Sequence, residues 1–428
     1  MDAQIVCRSQ KDFTIQFKIP YANTMLDFEE KIQGRLNEAG IVATGEALSR
    51  FDTDGAPIFI GGKKWTSKGK IPKPYQTPYG EVIVDRHVYQ SSAGGRHFCP
   101  LERDARIVIT STPKFAKMVS SKYSGSGSAS VAKDLEENHG RTVAKSYVQN
   151  VCDAVGSVAM AKEENWSYEL PEMEKAVNSI SLGLDGTCML MTEEGYRQAM
   201  VGTIGFFDEE GERLHTIYTA AAPEYGKATF LSRFENEIRR VKARYPCVQF
   251  IGLADGTRDN WEFLKKHTDV QTVDFFHATG YLGKAASVMF KGKRNLSAKE
   301  DWLNDACHNL KHKHGVAGRL LREMETFSLN NQLSGQDKEQ IDSSISYFRN
   351  NKKKMKYAQN MANNLPIGSG ITESACKVIV KQRLCCSGMK WKDKGAAIVL
   401  SLRCLNQTKD RWTQFWEKIN QYGFSIVR

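Results

Sequence analysis

From Asn23 to Ala39 the apolar positions recur at the spacing of an amphipathic helix. Residues 51–110 change character. Gly61-Gly62, Pro72, Pro74, Pro78, Gly80 and Gly94-Gly95 punctuate short β-rich runs, and Glu81–Tyr89 alternates, with one break, as a strand does. This predicts a small β-rich unit ending near Cys99-Pro100-Leu101. Ser120–Ser130 is rich in Ser and Gly and reads as a turn or short linker. Two short helices follow, Ala129–Glu137 and Thr142–Val155, joined by a tight turn at Asn138-His139-Gly140-Arg141. The acidic stretch 156–176 reads as loop and as a boundary.

Beyond it the pattern turns α/β. Strands are predicted at Val177–Asp185, Ala199–Phe207 and Arg213–Thr219, the three forming a meander. A helix at Lys227–Tyr245 carries Phe230, Leu231, Phe234, Ile238 and Val241 at helical spacing. Strands are then predicted at Val248–Ala254 and Val270–Phe276. Residues 278–362 read as helices only, broken at Lys291–Arg294 and Leu333–Gly335. Pro366-Ile367-Gly368-Ser369-Gly370 ends that block, and helices are predicted at Ile371–Leu384 and Lys394–Asn406. Three strands, a helix, a strand, a helix and a strand is the element order of a ribonuclease H-like fold. A doubly wound sheet would place a helix after every strand. The expected fold class is therefore α/β with a mixed sheet: a ribonuclease H-like core carrying an all-helical insertion. The expected domains are 1–118, mixed and β-rich; 119–160, a helical hairpin; 177–278, the first part of the core; 279–362, the helical insertion; and 363–428, the last part of the core.

Charge sharpens this picture. The chain has 428 residues and a net charge of +11, from 60 Lys and Arg against 49 Asp and Glu. Residues 351–428 hold 15 basic and 4 acidic residues, so the whole excess sits at that end. A basic block of this density suits a polyanion, or else a solvated lysine-rich face. No apolar run approaches the roughly 20 residues a bilayer span needs, and the first residues do not read as a signal peptide. The ten cysteines are scattered without a C-x-x-C pair, which suits free thiols in a reducing cytoplasm. The paired helices 129–155 suit a helix-turn-helix as well as an ordinary hairpin. In the first case Arg141, Lys145 and Gln149 lie near the DNA-facing start of the second helix.

Three carboxylates are candidates for chemistry. Asp185 and Asp255 each end a predicted strand and each precede a glycine, where α/β sheets place functional groups and where a substrate backbone can approach. The same Asp-Gly pairs also suit plain turns. Glu373 opens the next helix, with Lys377 and Lys381 on the same face and Arg383 nearby. Three carboxylates at one sheet edge suit two Mg²⁺ ions roughly 3.5–4 Å apart, with Mn²⁺ able to substitute. Asp274 and His277 form a further D-x-x-H pair, for a metal, for a phosphate or for positioning the next helix.

The blocks Leu182-Gly-Leu-Asp185-Gly-Thr, Leu253-Ala-Asp255-Gly with Trp261, and Val273-Asp-Phe-Phe-His277-Ala carry a resemblance to a known family. So do Pro366-Ile-Gly-Ser-Gly-Ile-Thr-Glu373-Ser-Ala-Cys-Lys377, Lys381-Gln-Arg-Leu and Ser387-Gly-Met-Lys-Trp391. At the N-terminal end, Tyr75-Gln-Thr-Pro-Tyr-Gly-Glu-Val82 and Cys99-Pro-Leu101 fit as well. The chain resembles bacterial insertion-sequence transposases of the ISKra type, relatives of the Mutator superfamily with DDE catalysis. The resemblance implies an N-terminal DNA-binding region and a ribonuclease H-like core interrupted by helices. It also implies Asp185, Asp255 and Glu373 as the metal-binding triad, with Asp274 and His277 as auxiliary residues.

The expected activity is metal-dependent DNA cleavage and strand transfer on terminal inverted repeats. Lys377, Lys381, Arg383, Lys390 and Trp391 are the expected DNA contacts at the C-terminal end. The expected partner is double-stranded DNA, with at least a dimer assembled on it, in the bacterial cytoplasm at the nucleoid and without a membrane. The competing expectations are a catalytically silent, domesticated DNA-binding protein and a nuclease that cleaves without joining.

Overall fold

Thr24 sets the start of the first long helix, its hydroxyl accepting a hydrogen bond from the Asp27 backbone N–H. The helix spans Met25–Ser49 and so continues well past the predicted end at Ala39. Gly40, inside the helix, is a contact point: a Cβ there would stand 2.3 Å from the Tyr79 ring. In this computed structural model residues 2–163, 165–224, 227–255 and 258–424 are described. Gly256, one of the two glycines singled out beside a carboxylate, lies outside them. The chain forms two units. The first comprises Met1–Glu169, Ala397–Asn406 and Asp410–Arg428; the second comprises Leu170–Ala396 and Gln407–Lys409.

In the first unit β1 (Gln4–Arg8) and β2 (Phe13–Gln16) pair antiparallel. β3 (Ile58–Ile60), β4 (Lys63–Gln76) and β5 (Glu81–Ser91) form an antiparallel sheet in that order. The alternation in β5 is real: Val82, Val84, Arg86 and Val88 are buried while Glu81, Ile83 and Asp85 are exposed. Its inner face packs with Leu48, Tyr75 and Leu101. The Glu102 carboxylate accepts from Lys73 Nζ at 2.7 Å, Tyr75 OH at 2.8 Å and Arg86 Nε at 3.3 Å, so this half-buried charge is paired.

The predicted Ser/Gly linker at 120–130 is mostly helix. Pro113–Gly125 and Ser128–His139 are helices separated only by Ser126 and Gly127. Ser120 and Ser124 are buried and donate to carbonyls of their own helix, Ala116 O and Ser121 O, which removes the cost of burying a hydroxyl. The third helix, Lys145–Lys162, runs into the stretch expected to be loop. Gly156 lies inside it, and a Cβ there would meet Ile398 Cγ2 at 2.5 Å. Helix packing, not chain flexibility, is what this glycine serves.

That packing also moves the domain boundary. Residues 363–428 were expected to complete one core, yet 397–406 and 410–428 belong to the first unit. Ile398, Val399, Leu402, Phe415 and Trp416 are buried there. Arg403 donates to the Ser124 carbonyl, and Asn406 Nδ2 donates to Ser121 Oγ at 3.0 Å. The basic end therefore divides by residue type. Arg383, Arg403 and Arg411 are buried, whereas Lys377, Lys381, Lys390, Lys392 and Lys394 are exposed.

The helical hairpin of the first unit exists, but Arg141 is not free to read DNA. Gly140, at φ +59°, caps the helix Ser128–His139 in the left-handed region. Arg141 is then buried: Nε donates to Thr77 O at 3.0 Å, Nη2 donates to Gln76 Oε1 at 2.6 Å, and the guanidinium stacks over Phe115. Gln149 is half-buried, accepting from Tyr123 OH and donating to Asp153. Of the three expected DNA contacts only Lys145 is exposed. Arg141→Ala is expected to cost about 2–4 kcal/mol in urea unfolding, because two hydrogen bonds of a buried charged group are lost. Unchanged unfolding with weakened DNA binding would restore the surface role.

The second unit is built on a five-stranded mixed sheet of β6 (Ser179–Met191), β7 (Gly195–Phe207), β8 (Arg213–Ala221), β9 (Gln249–Ala254) and β10 (Val270–Val273). The order is β10-β9-β6-β7-β8. β7 and β8 are antiparallel to their neighbours, whereas β9 runs parallel to β6 and β10 runs parallel to β9. The helix Ala228–Arg244 buries Phe230, Phe234, Ile238 and Val241, the stripe read from spacing. After β10 come helices Phe275–Met289, Leu296–His312, Val316–Asn330, Gly335–Asn351 and Tyr357–Ala362. Leu320, Phe348 and Tyr357 of these helices share one apolar core with Ile180, Phe206 and Phe234 of the sheet side. The helical segment is thus part of the unit's core. No helix among the described residues is long and apolar enough to cross a membrane.

Candidate active site

Asp185 was expected to end its strand, but β6 runs on to Met191. Only the pairing with β9 stops near it. The last registered pair is Gly183 with Leu253, so Asp185 lies two residues further along β6 and Asp255 is the first residue after β9. Both residues thus follow the point where the β6–β9 pairing stops. β9 closes at Ala254, and Tyr347 of the helical segment donates to the Asp255 carbonyl at 3.1 Å. Asn260 Nδ2 reaches Leu184 O at 3.4 Å and fastens the helix Arg258–His267 beside Asp185.

Glu373 arrives from the far end of the unit's sequence. The helix Gly370–Ala375 lies over β6 and β7, where Thr372 and Thr203 share a hydroxyl hydrogen bond of 2.7 Å. Gly183 makes this approach possible: a Cβ would stand 1.9 Å from Thr372 Oγ1 and 2.8 Å from Thr203 Oγ1. Gly183→Ala is expected to lower stability by about 1–3 kcal/mol, since Thr372 must leave its partner or the helix must lift. Urea unfolding checks this, and a variant as stable as wild type would show that the contact is loose. Gly186 does not open space for a substrate as expected, because Gln198 side-chain atoms lie 2.2–2.6 Å from where its Cβ would be.

The predicted continuous helix Ile371–Leu384 is interrupted by a π-helical turn at Cys376–Lys381. Such turns accommodate an extra residue in the helix and are frequent at functional sites. Here Cys376 is buried with Sγ 3.5 Å from Asp185 Oδ2, as donor. Burial first, and then the Asp185 charge, push its thiol far above the ordinary range, so it remains a protonated donor. Sequence reasoning missed Cys376; its i+3 spacing from Glu373 was the available signal.

Asp185, Glu373, Cys376, Lys377 and Lys381 line one open cavity of about 760 Å³. Burial raises the Asp185 carboxyl above the usual carboxylate range, and the charges of Asp255 and Glu373 raise it further, while the Gly186 N–H and Cys376 partly offset them. Carboxylates that repel one another at a cavity rim are a hard-oxygen donor set suited to Mg²⁺.

Asp274 is fully buried and is the N-cap of the helix Phe275–Met289, not a residue of the strand expected to reach Phe276. Its Oδ1 accepts from the His277 N–H at 2.6 Å, and its Oδ2 accepts from the Ser369 N–H at 2.5 Å and from Ser369 Oγ at 3.0 Å. Ser369 Oγ also lies 3.1 Å from Glu373 Oε1, and His277 Nε2 lies 3.5 Å from the same oxygen. Asp274, His277 and Glu373 present ligand atoms all within 4.8 Å of one another and could hold a metal ion. The sequence reading set Glu373 with Asp185 and Asp255 and kept Asp274 and His277 as a separate pair; the structure brings Glu373 to that pair, through Ser369, which the sequence reading missed.

Of the DNA contacts expected after Glu373, Lys377 and Lys381 are exposed on the cavity wall and Lys390 is exposed. Arg383 and Trp391 are structural. Arg383 is buried with its guanidinium 5.3 Å from the centre of the Trp391 ring. Trp391 donates from its backbone N–H to Leu190 O at 3.0 Å and from Nε1 to Leu384 O at 2.9 Å. An aromatic and an arginine read as a binding pair are instead the clamp that seats this segment on the end of β6.

Comparison with known proteins gives no family model that matches the chain and no curated protein that matches it.

Proposed function

We propose that this protein is a DNA transposase with a ribonuclease H-like core, cleaving and joining DNA strands at Asp185, Asp255 and Glu373. The single observation that carries the reading is electrostatic. The charges of Asp255, just after β9, and of Glu373, on a helix distant in the chain, both bear on Asp185 in β6, and Asp185 and Glu373 share a cavity with two exposed lysines. The sheet order supports it too: an antiparallel meander with two parallel strands added on the other side of its first strand is the arrangement such a core requires.

Asp185, Asp255 and Glu373 would hold two Mg²⁺ ions, with Mn²⁺ able to replace them. When bound, the ions supply positive charge for the attacking and leaving oxygens of an in-line displacement. The protein's part is positioning and neutralisation, which dominate phosphoryl transfer. Cys376 holds the Asp185 carboxyl, and Ser369 with His277 orients Glu373. Lys377 and Lys381 take backbone phosphates along the same wall. Cleavage adds water across a phosphodiester at the element end and leaves a 3′-hydroxyl. Joining exchanges that hydroxyl for the 3′-oxygen of a target phosphodiester. Two ends are joined in one event, so at least a dimer forms on DNA, and Lys145 of the first unit contributes to holding the terminal repeats.

The test is a cleavage and joining assay with Mg²⁺ on DNA carrying the repeats that flank the coding sequence, with binding followed in parallel. Wild type is expected to cut and join, while Asp255→Asn and Glu373→Gln bind and do neither. Variants as active as wild type would remove the triad. Tight binding with no cutting by any form would leave a silent DNA-binding protein, and cutting without joining would leave a nuclease.

A further inference from the structure

A second cavity in the same unit, of about 520 Å³, shares no residue with the carboxylate cavity. Arg258 and Lys265 come from the helix Arg258–His267. Lys353, Lys354 and Lys356 come from the turn that follows the helix Gly335–Asn351. Trp261 and the edge strand β10, through Val270 and Gln271, complete the wall. Five cations thus meet two acids, and both acids are already engaged. Glu262 pairs with Arg258 at 3.1 Å, and Asp269 Oδ2 accepts from the Phe250 N–H at 2.8 Å.

Two features separate this pocket from a solvated lysine face. Lys354 is half-buried with its ammonium 4.9 Å from the centre of the Trp261 ring, and burial alone holds it below the usual lysine range. Trp261 is 8% exposed, and its buried indole N–H has no acceptor among the described residues. A ligand with several negatively charged acceptor oxygens matches the lysines and the arginine together, and a cavity of this size takes a small ligand or a short piece of a longer one.

We propose that this cavity is a second phosphate-binding site, which takes the phosphodiester backbone of DNA at a distance from the carboxylates. The source of the phosphate rests on the transposase reading; the chemistry of the pocket does not. Such a site holds the strand without reading its sequence, so its contribution to affinity falls with salt.

The experiment uses the full chain and compares wild type with the Lys353→Gln/Lys354→Gln/Lys356→Gln variant and with Trp261→Phe. Each is checked first by circular dichroism and thermal unfolding. Affinity for a duplex is measured between about 50 and 200 mM salt, and pyrophosphate is the free-phosphate probe. The triple variant is expected to lose about 10-fold in duplex affinity or more, with the slope of log K against log salt reduced by about one per lysine removed. Trp261→Phe removes no charge but shrinks the ring beneath the Lys354 ammonium, so it shifts affinity less than the triple variant, with the salt slope unchanged. If pyrophosphate binds in a Lys354-dependent way while duplex binding is the same in all three proteins, DNA is overturned as the source. If neither ligand distinguishes the variants from wild type, the site itself is overturned. Loss of cleavage in Asp255→Asn plays no part in either readout, so the two readings fail separately.

Discussion

Asp185→Asn is expected to remove strand cleavage and to abolish the stabilisation that Mg²⁺ gives, while leaving the metal-free protein at least as stable as wild type. The first effect follows from the loss of a carboxylate ligand at the reacting charge, several kcal/mol, or on the order of 10³-fold in rate. The second follows from the direction of the carboxyl's shift. Burial and the charges of Asp255 and Glu373 raise Asp185 above its ordinary value. A group with a raised folded pKa contributes stability below its unfolded value, about 4, and loses that contribution as pH rises through the folded value. At neutral pH, with Mg²⁺ chelated, the ionised group therefore costs stability, and the uncharged Asn does not. Thermal unfolding at two pH values, with Mg²⁺ and with chelator, reads this out. A metal-free variant less stable than wild type, with the Mg²⁺ shift intact, would show that Asp185 is a structural hydrogen-bonding residue.

Asp274→Ala is expected to be the most destabilising single change near the site, by about 2–4 kcal/mol, because it leaves the His277 and Ser369 backbone N–H groups without their acceptor and leaves the Ser369 hydroxyl with Glu373 alone. Asp274→Asn keeps one carbonyl oxygen but turns an NH₂ group toward a donor, so an intermediate loss is expected. Ser369→Ala is the milder probe: it removes the link to Glu373 Oε1 while keeping the backbone hydrogen bond. Its unfolding should change little while cleavage falls. Urea unfolding of the three variants gives the order, and an Asp274→Ala protein as stable as wild type would overturn the account.

The candidate site was partly legible because its parts obey local rules. Asp185, Asp255 and Glu373 stand next to apolar runs or at a helix start, and such patterns are visible in one dimension. The partners were not. Ser369 and Cys376 gain their roles from Asp274 and Asp185, which lie 95 and 191 positions away in the chain. Tertiary partners also explain the errors. Arg141, Arg383 and Trp391 have the composition of a nucleic-acid surface, yet each completes a hydrogen-bonding or stacking arrangement with residues the local pattern cannot name.

By itself the sequence determined where apolar and polar positions alternate or recur. It therefore determined the alternating strand Glu81–Tyr89, which runs to Ser91 in the structure, the helix that packs through Phe230, Phe234, Ile238 and Val241, and the purely helical stretch after β10. Those periods are set by backbone geometry and hold in any context. Tertiary structure alone decided the rest. Gly40 and Gly156 continue helices because a neighbour occupies the space of the missing Cβ. β6 passes beyond Asp185 because β7 still pairs with it after β9 has ended. Residues 397–406 join the first unit because their apolar face is buried there. For the glycines and for residues 397–406 the deciding energy is packing between segments distant in the chain, and no local pattern encodes which partner arrives; for β6 it is the length of its hairpin with β7.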